Sequence, residues 1–257
     1  DAAIICSPTS MHIEQSLKLA KLKKHLLIEK PLDSKLDGAE ELLKASQLNK
    51  LTIMIAYIFR FSPAIKFIKK KLEENVIGKI LYFRGEFSEY LPDWHPWEDY
   101  TQGYSARKDL GGGVVRTQIH PLNYLAFILG EIEDVTVQSQ SSGYLGINVE
   151  DLADIQVRFK RNITANIHID YLQKPRVHTL TVLTNKGRFS WDCHANELYF
   201  IDHAAKKIDF PNENFERNDM FLSMLEHFID CVKTGRQSAF TVEDATKELS
   251  KLLRACE

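Results

Sequence analysis

A glutamate–lysine pair follows the apolar stretch HLLI near the start of the sequence. Glu29 and Lys30 come directly after this stretch, and Pro31 ends it because a proline has no N–H for a strand ladder. An exposed ion pair beside a turn is one interpretation, since such pairs are common and weak. The other is a binding site, because residues at the carboxyl ends of parallel strands face the ligand crevice. The position after an apolar strand favours the site.

A histidine interrupts a mostly apolar helix pattern further along the chain. Thr117, His120 and Tyr124 recur at i, i+3 and i+7, so they share one side of a helix with other polar residues beside them. A hydrogen-bonded core histidine is the simpler interpretation. The polar neighbours favour a site, and histidine is the side chain best matched to proton transfer near neutral pH. Lys30 and His120 are therefore candidate site residues.

Three short apolar runs predict the parallel sheet that carries the first of these residues. They are AAIIC at 2–6, HLLIE at 25–29 and LTIMIAYIF at 51–59, separated by amphipathic stretches. Alternation of strand and helix at this spacing indicates right-handed crossovers. Ser10 is expected to cap the first helix, and SKLD at 34–37 matches a capping box for the second.

The stretches CSPTSMH and KHLLIEKPL resemble the glucose–fructose oxidoreductase/inositol dehydrogenase/MocA family, in which a [ST]-P-x-x-x-H segment leads to a Glu-Lys-Pro motif. The resemblance implies a Rossmann-type fold, an NAD or NADP cofactor, and hydride transfer to or from sugars, cyclitols or nucleotide-linked sugars. The cofactor-binding residues that it implies are Cys6, Ser7, Pro8, Thr9, His12, Glu29 and Lys30.

Members of that family begin with a glycine-rich G-x-G-x-x-G turn, which binds the pyrophosphate. This sequence has no such turn, and LGGGVV at 110–115 lies too far along the chain. We therefore expect the chain to start inside a Rossmann domain, after its first strand–helix units. If so, this sequence does not reveal whether the cofactor is NAD or NADP. We also expect the chain alone to bind a dinucleotide poorly.

The resemblance extends to the glycine run and to the helix that carries His120. Relatives have an acidic residue three or four positions before the histidine, and this pair lines the reacting carbon together with the lysine. Here those positions hold Thr117 and Arg116, so the acid is absent. Either Lys30 and His120 suffice, or the chemistry is altered or lost. The resemblance assigns polarisation of the reacting oxygen to Lys30 and general acid–base catalysis to His120.

An aromatic and polar loop over residues 91–113 is the expected sugar-binding segment. Long irregular loops in compact domains are usually functional or disordered, and aromatic side chains with acidic neighbours suit a hydroxylated ring. The alternative is a loop that packs its tryptophans on its own domain. Arg107 and Lys108 would suit a phosphate, as in a nucleotide sugar. The predicted substrate-binding residues are Arg60, Trp94, His95, Tyr104, Arg107, Thr117 and His120.

In the second half of the chain apolar residues recur at every second position, which predicts antiparallel strands with one apolar face. His168 and Asp170 fall on the other face. They have the residue types of a catalytic pair, but we interpret them as outward-facing or as a subunit contact.

The predicted fold class is α/β plus α+β. A truncated Rossmann-like parallel sheet is followed by a substrate domain on a mostly antiparallel open sheet. The expected domains are the Rossmann part at 1–58, the substrate domain at 59–240 and a final helix at 241–257. The family resemblance implies that this helix packs back on the Rossmann part, and that homodimers or homotetramers form through the open sheet face.

Composition excludes several function classes. The net charge is −2 and 26% of the residues are charged without a long basic block, so nucleic acid is not the expected partner. No apolar run approaches the ~20 residues of a membrane span. The four cysteines lack the spacing of a metal site, so we expect no metal and a reducing, cytoplasmic location.

Together these features predict an NAD(P)-dependent oxidoreductase that acts on a sugar, a cyclitol or a nucleotide sugar. Two alternatives stay open. One is a non-catalytic relative that binds a sugar or a nucleotide sugar, and the missing acid at Thr117 supports it. The other is a lyase or hydrolase that keeps a bound nicotinamide through internal redox steps.

Overall fold

The computed structural model describes residues 1–75, 77–160, 162–210 and 216–256. Within those ranges a three-stranded parallel sheet comes first, in the order β1 (Ala2–Ile5), β2 (His25–Ile28) and β3 (Ile53–Ile55). Helices α1 (His12–Lys21) and α2 (Ala39–Leu48) connect the strands. The predicted parallel sheet is confirmed. The third strand is shorter than predicted, because the apolar residues after it are buried in a 3-10 turn at Ile58–Phe61.

The capping motifs predicted for the first two helices are wrong. Ser10 lies in a 3-10 turn that precedes α1 and does not cap it. The Asp33 carboxylate accepts the hydrogen bond from the Ile13 amide at 2.9 Å instead. Ser34 does not cap α2, which follows Gly38 in a left-handed conformation (φ 84°). A remote carboxylate thus replaces the local cap and ties the turn after β2 to the start of α1.

The second sheet has eight strands in the described residues. These are β4 (Ile80–Ser88), β5 (Ile132–Gln140), β6 (Leu152–Phe159), β7 (Ile163–Asp170), β8 (Val177–Thr184), β9 (Gly187–Asp192), β10 (Glu197–Asp202) and β11 (Lys207–Asp209). They lie in the order β11-β10-β9-β8-β4-β7-β6-β5, and every pair is antiparallel except β4 with β7. One face is apolar and buried, as predicted.

The helix predicted over 114–129 is broken into α4 (Val114–Thr117) and α5 (His120–Leu129). Pro121 lies in the first turn of α5. Because a proline has no N–H, the helical hydrogen bond from this residue to the Thr117 carbonyl does not form. The carbonyl is thereby free for another donor, and the candidate histidine becomes the first residue of α5.

Three further helices complete the fold, and none of the helices in the described ranges combines the length and apolar content that a membrane span needs. They are α3 (Pro63–Glu73), α6 (Arg217–Thr234) and α7 (Val242–Ala255). α7 begins with a capping box, since Thr241 and Asp244 bond each other's backbone amides. α7 contacts α2 and β3 of the first sheet and β5 of the second. It therefore links the two sheets.

A buried polar cluster joins α7 to the rest of the molecule. The Arg60 guanidinium donates to Asn123 Oδ1 at 2.8 Å, and the Asn123 amide donates to both Glu248 oxygens at 3.0 and 3.1 Å. The guanidinium also lies 4.2 Å from the centre of the Phe240 ring, a cation–π contact. Burial raises the pKa of Glu248 to about 7, against the opposing effect of Arg60.

We predict that Glu248 makes the protein less stable as the pH rises from about 4.5 to about 7. A carboxyl whose pKa is raised by folding binds its proton more tightly in the folded state, so its contribution is lost on ionisation. The shift corresponds to on the order of 3 kcal/mol. Glu248→Gln should flatten the pH dependence of the unfolding free energy, measured by urea denaturation. Glu243→Gln, an exposed site on the same helix, is the control. An unchanged slope in Glu248→Gln would contradict the assignment.

Candidate active site

Both candidate catalytic residues line one cavity of about 540 Å³ between the two sheets. Residues that follow β2 and β3 form one wall, and the end of β4 with the loop after it and the start of α5 form the others. This is the carboxyl edge of the parallel sheet, where ligands bind in such folds. The sequence-predicted residues on its walls are Glu29, Lys30, Trp94, His95, Tyr104, Thr117 and His120.

The Lys30 ammonium is held by the broken helix. Its Nζ donates a hydrogen bond of 2.7 Å to the Thr117 carbonyl, the oxygen that Pro121 leaves without a helical donor. An ammonium has three N–H donors, so two remain for a ligand in the cavity. The bond crosses from the first sheet to the helix over the second. It places the lysine next to the histidine that follows the break.

His120 is buried among aromatic rings and is 9% exposed. Its ring lies edge-on to Phe59, with 5.0 Å between the ring centres. Its Nδ1 has no hydrogen-bond partner among the described residues. Burial lowers the pKa of His120 well below the usual value, and the charge of Lys30 lowers it further. The imidazole is therefore neutral near pH 7, and it lines the cavity in which a ligand hydroxyl would lie.

Sequence reasoning missed several polar residues on the cavity wall, among them Glu89 and Gln118. Glu89 comes from the end of β4, and burial raises its pKa while Arg217, Arg176 and Lys30 counteract that effect. It places a carboxyl in the cavity although Thr117 is not acidic. Gln118 lies in the helix break, and its side-chain amide has no partner within the described ranges. The position of Glu89 directly after a strand was the available signal.

Of the residues expected at the cofactor, Glu29 and Lys30 line the cavity, whereas the segment from Cys6 to Thr9 and His12 do not. His12 is 1% exposed, with its Nδ1 2.9 Å from the Pro31 carbonyl and its Nε2 2.9 Å from the Ser7 carbonyl. Each ring nitrogen faces a backbone carbonyl, so His12 positions the Glu-Lys-Pro turn, and its contact with the cofactor stays a prediction. The segment from Cys6 through Ser7 and Pro8 to Thr9 follows β1, and its cofactor contact stays a prediction.

Two arginines predicted to bind substrate do not line the cavity. Arg60 belongs to the buried cluster with Asn123 and Glu248, because the turn after β3 directs it toward α7. Arg107 is half-buried and pairs with Asp109 at 2.6 Å, so its charge is already compensated. A role for either arginine in substrate binding stays a prediction.

The loop over residues 91–113 does contribute aromatic side chains to the cavity. Trp94 packs edge-on against Tyr171 at 5.5 Å between ring centres, and its indole faces the cavity with His95 and Tyr104. The loop is tightly closed at Gly112, where a Cβ would lie 2.2 Å from the Tyr104 carbonyl. The loop therefore packs on its own domain and lines the cavity at the same time.

The site fits the reactive end of a nicotinamide dinucleotide. Parallel strands end at the cavity, as they do where dinucleotides bind. Glu29 lines the cavity on the side of these strands, and the unpartnered atoms of His120 and Gln118 lie on the opposite side. A hydroxylated substrate in the cavity would lie against the imidazole of His120 and the side chain of Gln118. No group of His, Cys, Asp and Glu within the described ranges suits a metal ion.

We predict that Lys30→Met raises the pKa of His120. The ammonium charge is the second cause of the lowered value, after burial, so its removal favours the imidazolium. NMR of ring-labelled histidine across a pH series measures the change. Lys174→Met is the control, because Lys174 lines the same cavity but pairs with Asp93 at 2.6 Å. A His120 pKa that is the same in Lys30→Met and in the wild type would show that the two side chains are not adjacent.

Comparison with curated proteins gives two kinds of relative. The chain is 26% identical to D-xylose 1-dehydrogenase [NADP(+)] of Haloarcula marismortui, over 92% of this chain and 66% of that protein. It is 31% identical to 2,7-anhydro-N-acetylneuraminate hydratase of Escherichia coli, over 53% of this chain and 36% of that protein. The chain thus spans about two thirds or less of the length of either relative.

Solved structures and family models agree on the fold. A levoglucosan dehydrogenase in complex with NADH and levoglucosan superimposes with a TM-score of 0.84 at 17% identity, over 98% of this chain and 77% of that one. Residues 1–57 match the model of an oxidoreductase family with an NAD-binding Rossmann fold, and residues 65–190 match the GFO/IDH/MocA C-terminal domain. The two matches follow each other along the chain, which belongs to the GFO/IDH/MocA oxidoreductase family.

Proposed function

We propose that the chain is the substrate-binding and catalytic part of an NAD(P)-dependent oxidoreductase. The reaction is hydride transfer between a nicotinamide and a carbinol or ketone carbon of a sugar, a cyclitol or a nucleotide sugar. The observation that carries the proposal is the shared cavity wall of Lys30 and His120, at the carboxyl edge of a parallel sheet. The NADP-linked xylose dehydrogenase among the relatives and the NADH complex of a structural neighbour support the cofactor.

The chain's own residues manage the proton and the charge. The bound nicotinamide supplies or accepts the hydride. Lys30, oriented by the Thr117 carbonyl, donates a hydrogen bond to the reacting oxygen and stabilises negative charge there. His120 exchanges the proton of that oxygen at a ring nitrogen. Glu89 provides the cavity with a carboxyl group from β4.

Around this centre, the remaining contacts follow the placement of the side chains. Glu29 would hold a ribose hydroxyl of the cofactor, and the backbone from Cys6 to Thr9 would contact it. The aromatic rings of Trp94 and Tyr104 would pack on the sugar. Burial under these rings excludes water, which strengthens the interactions of charged groups with the reacting oxygen.

A second candidate is an enzyme that keeps its nicotinamide and shows no net oxidation. The hydratase among the relatives, at 31% identity, favours it, as does the absence of an acid at Thr117. Such a protein would carry a tightly held nicotinamide that is recycled during turnover. Its product would form without a net change in NADH absorbance.

We also propose the division into a nucleotide part at 1–58, a substrate domain at 59–240 and the linking helix at 241–257. Assembly through the outer face of the eight-stranded sheet into a homodimer or homotetramer is part of the same proposal. The exposed Leu183 on this face supports a contact there. Light scattering of the purified protein tests the assembly, and a monomer would contradict it. Four unpaired cysteines support a cytoplasmic location.

We predict that Lys30→Ala and His120→Ala each lower kcat/KM for the sugar by about 10²–10⁴-fold, because each removes a group that acts on the reacting oxygen. Reduction of NAD⁺ or NADP⁺ by a panel of sugars, followed at the NADH absorbance, measures the effect on the full-length protein. Lys44→Ala and His203→Ala remove exposed residues of the same types and should leave activity unchanged. Turnover that survives both active-site substitutions would refute the roles.

A further inference from the structure

The active-site cavity adjoins a second cavity of about 520 Å³. The two cavities share four wall residues, among them Arg176 and Arg217. Lys30 and His120 line the first cavity and not the second. Each volume lies in the usual range of small-molecule pockets, about 300–1,000 Å³. The shared wall is therefore where a part of the substrate remote from its reacting carbon would lie.

The two arginines on this wall make no ion pair with the described residues. No carboxylate oxygen of the described residues lies within 4 Å of either guanidinium, whereas Lys174 on the same wall pairs with Asp93 at 2.6 Å. Each guanidinium offers five N–H donors in a planar fork. This geometry matches the oxygens of a carboxylate or a phosphate.

Two carboxyl groups lie near these arginines. Glu89 belongs to the shared wall and Glu216 to the second cavity, and neither makes an ion pair with the arginines in the described ranges. Burial raises the pKa of Glu89, which favours its neutral form. Burial also lowers the pKa of His178 in the second cavity to about 3, with Arg217 as a further cause. The shared wall thus places two guanidinium groups without an ion-pair partner among the described residues where the two cavities meet.

We propose that Arg176 and Arg217 bind an anionic group of the sugar substrate, a carboxylate or a phosphate, while its reacting carbon lies at Lys30 and His120. The inference rests on the proposed function for the reacting end of the ligand. Phosphate binding, which the sequence analysis gave to Arg107, is assigned instead to two arginines that line both cavities. The substrate class is then an acidic sugar or a sugar phosphate.

Binding of three probes to the full-length protein tests the proposal without turnover. Calorimetry compares D-glucose with D-glucuronate and with glucose 6-phosphate, so that the two acidic probes separate a carboxylate from a phosphate. The expected result is that at least one acidic probe binds about tenfold or more tightly than glucose. Arg176→Gln and Arg217→Gln should each remove most of that difference.

Arg254→Gln is the matched control, since it removes one exposed arginine that does not line either cavity. Equal binding of all three probes, or no binding of either acidic probe, would overturn the proposal. So would acidic-probe binding that survives both arginine substitutions. An NAD(P)-linked activity restricted to neutral sugars would overturn this inference and leave the proposed function intact. If an acidic probe binds through both arginines but the protein shows no reaction with a nicotinamide, the inference stands and the proposed function is overturned.

Discussion

The hydrogen bond from Lys30 Nζ to the Thr117 carbonyl is the contact on which the candidate site depends. Its acceptor exists because Pro121, four residues later, has no N–H to complete the helix. One backbone defect therefore breaks the helix, supplies the acceptor and sets the histidine at the start of α5. A continuous helix would occupy the Thr117 carbonyl and leave the lysine without this anchor. The sheet that carries the lysine and the helix that carries the histidine are brought together at that point.

The buried Arg60 cluster maintains this arrangement from the other side. Arg60 follows β3, Asn123 lies one turn beyond His120, and Glu248 belongs to α7. The cluster fixes α5 relative to the parallel sheet, so it holds the histidine wall of the cavity in place. Buried charges are costly unless they are paired and hydrogen-bonded, and here an arginine, an amide and a carboxyl meet those requirements together.

Much of this could be predicted from local pattern. Apolar runs bounded by turn residues indicated the three parallel strands, and alternation indicated the antiparallel sheet, because both periods are imposed by backbone geometry. Lys30 and His120 were predicted from a strand end and from a polar stripe on an apolar helix. These signals lie within a few residues of the groups themselves. They can therefore be recognised without any knowledge of tertiary packing.

The errors concern interactions between distant segments. Asp33 replaces the predicted cap of α1 from the next turn, and Arg60 turns toward a helix that begins far along the chain. Arg176 directly precedes β8, and Arg217 is the first residue of α6. No periodic pattern in the sequence relates these two positions, so their place on one cavity wall is visible only in the folded chain. The position of Pro121 in the sequence indicates the helix break. That the freed carbonyl accepts a hydrogen bond from Lys30 depends on where β2 lies in the fold, which the sequence alone does not show.

A crystal structure of the full-length protein with a nicotinamide dinucleotide and a sugar would test the central claim most directly. The account predicts that one sugar oxygen contacts both Lys30 Nζ and a ring nitrogen of His120. The carbon that bears this oxygen should lie about 3–3.5 Å from C4 of the nicotinamide, as in a near-attack geometry. A nicotinamide bound away from this cavity, or a sugar whose oxygen reaches neither side chain, would contradict it.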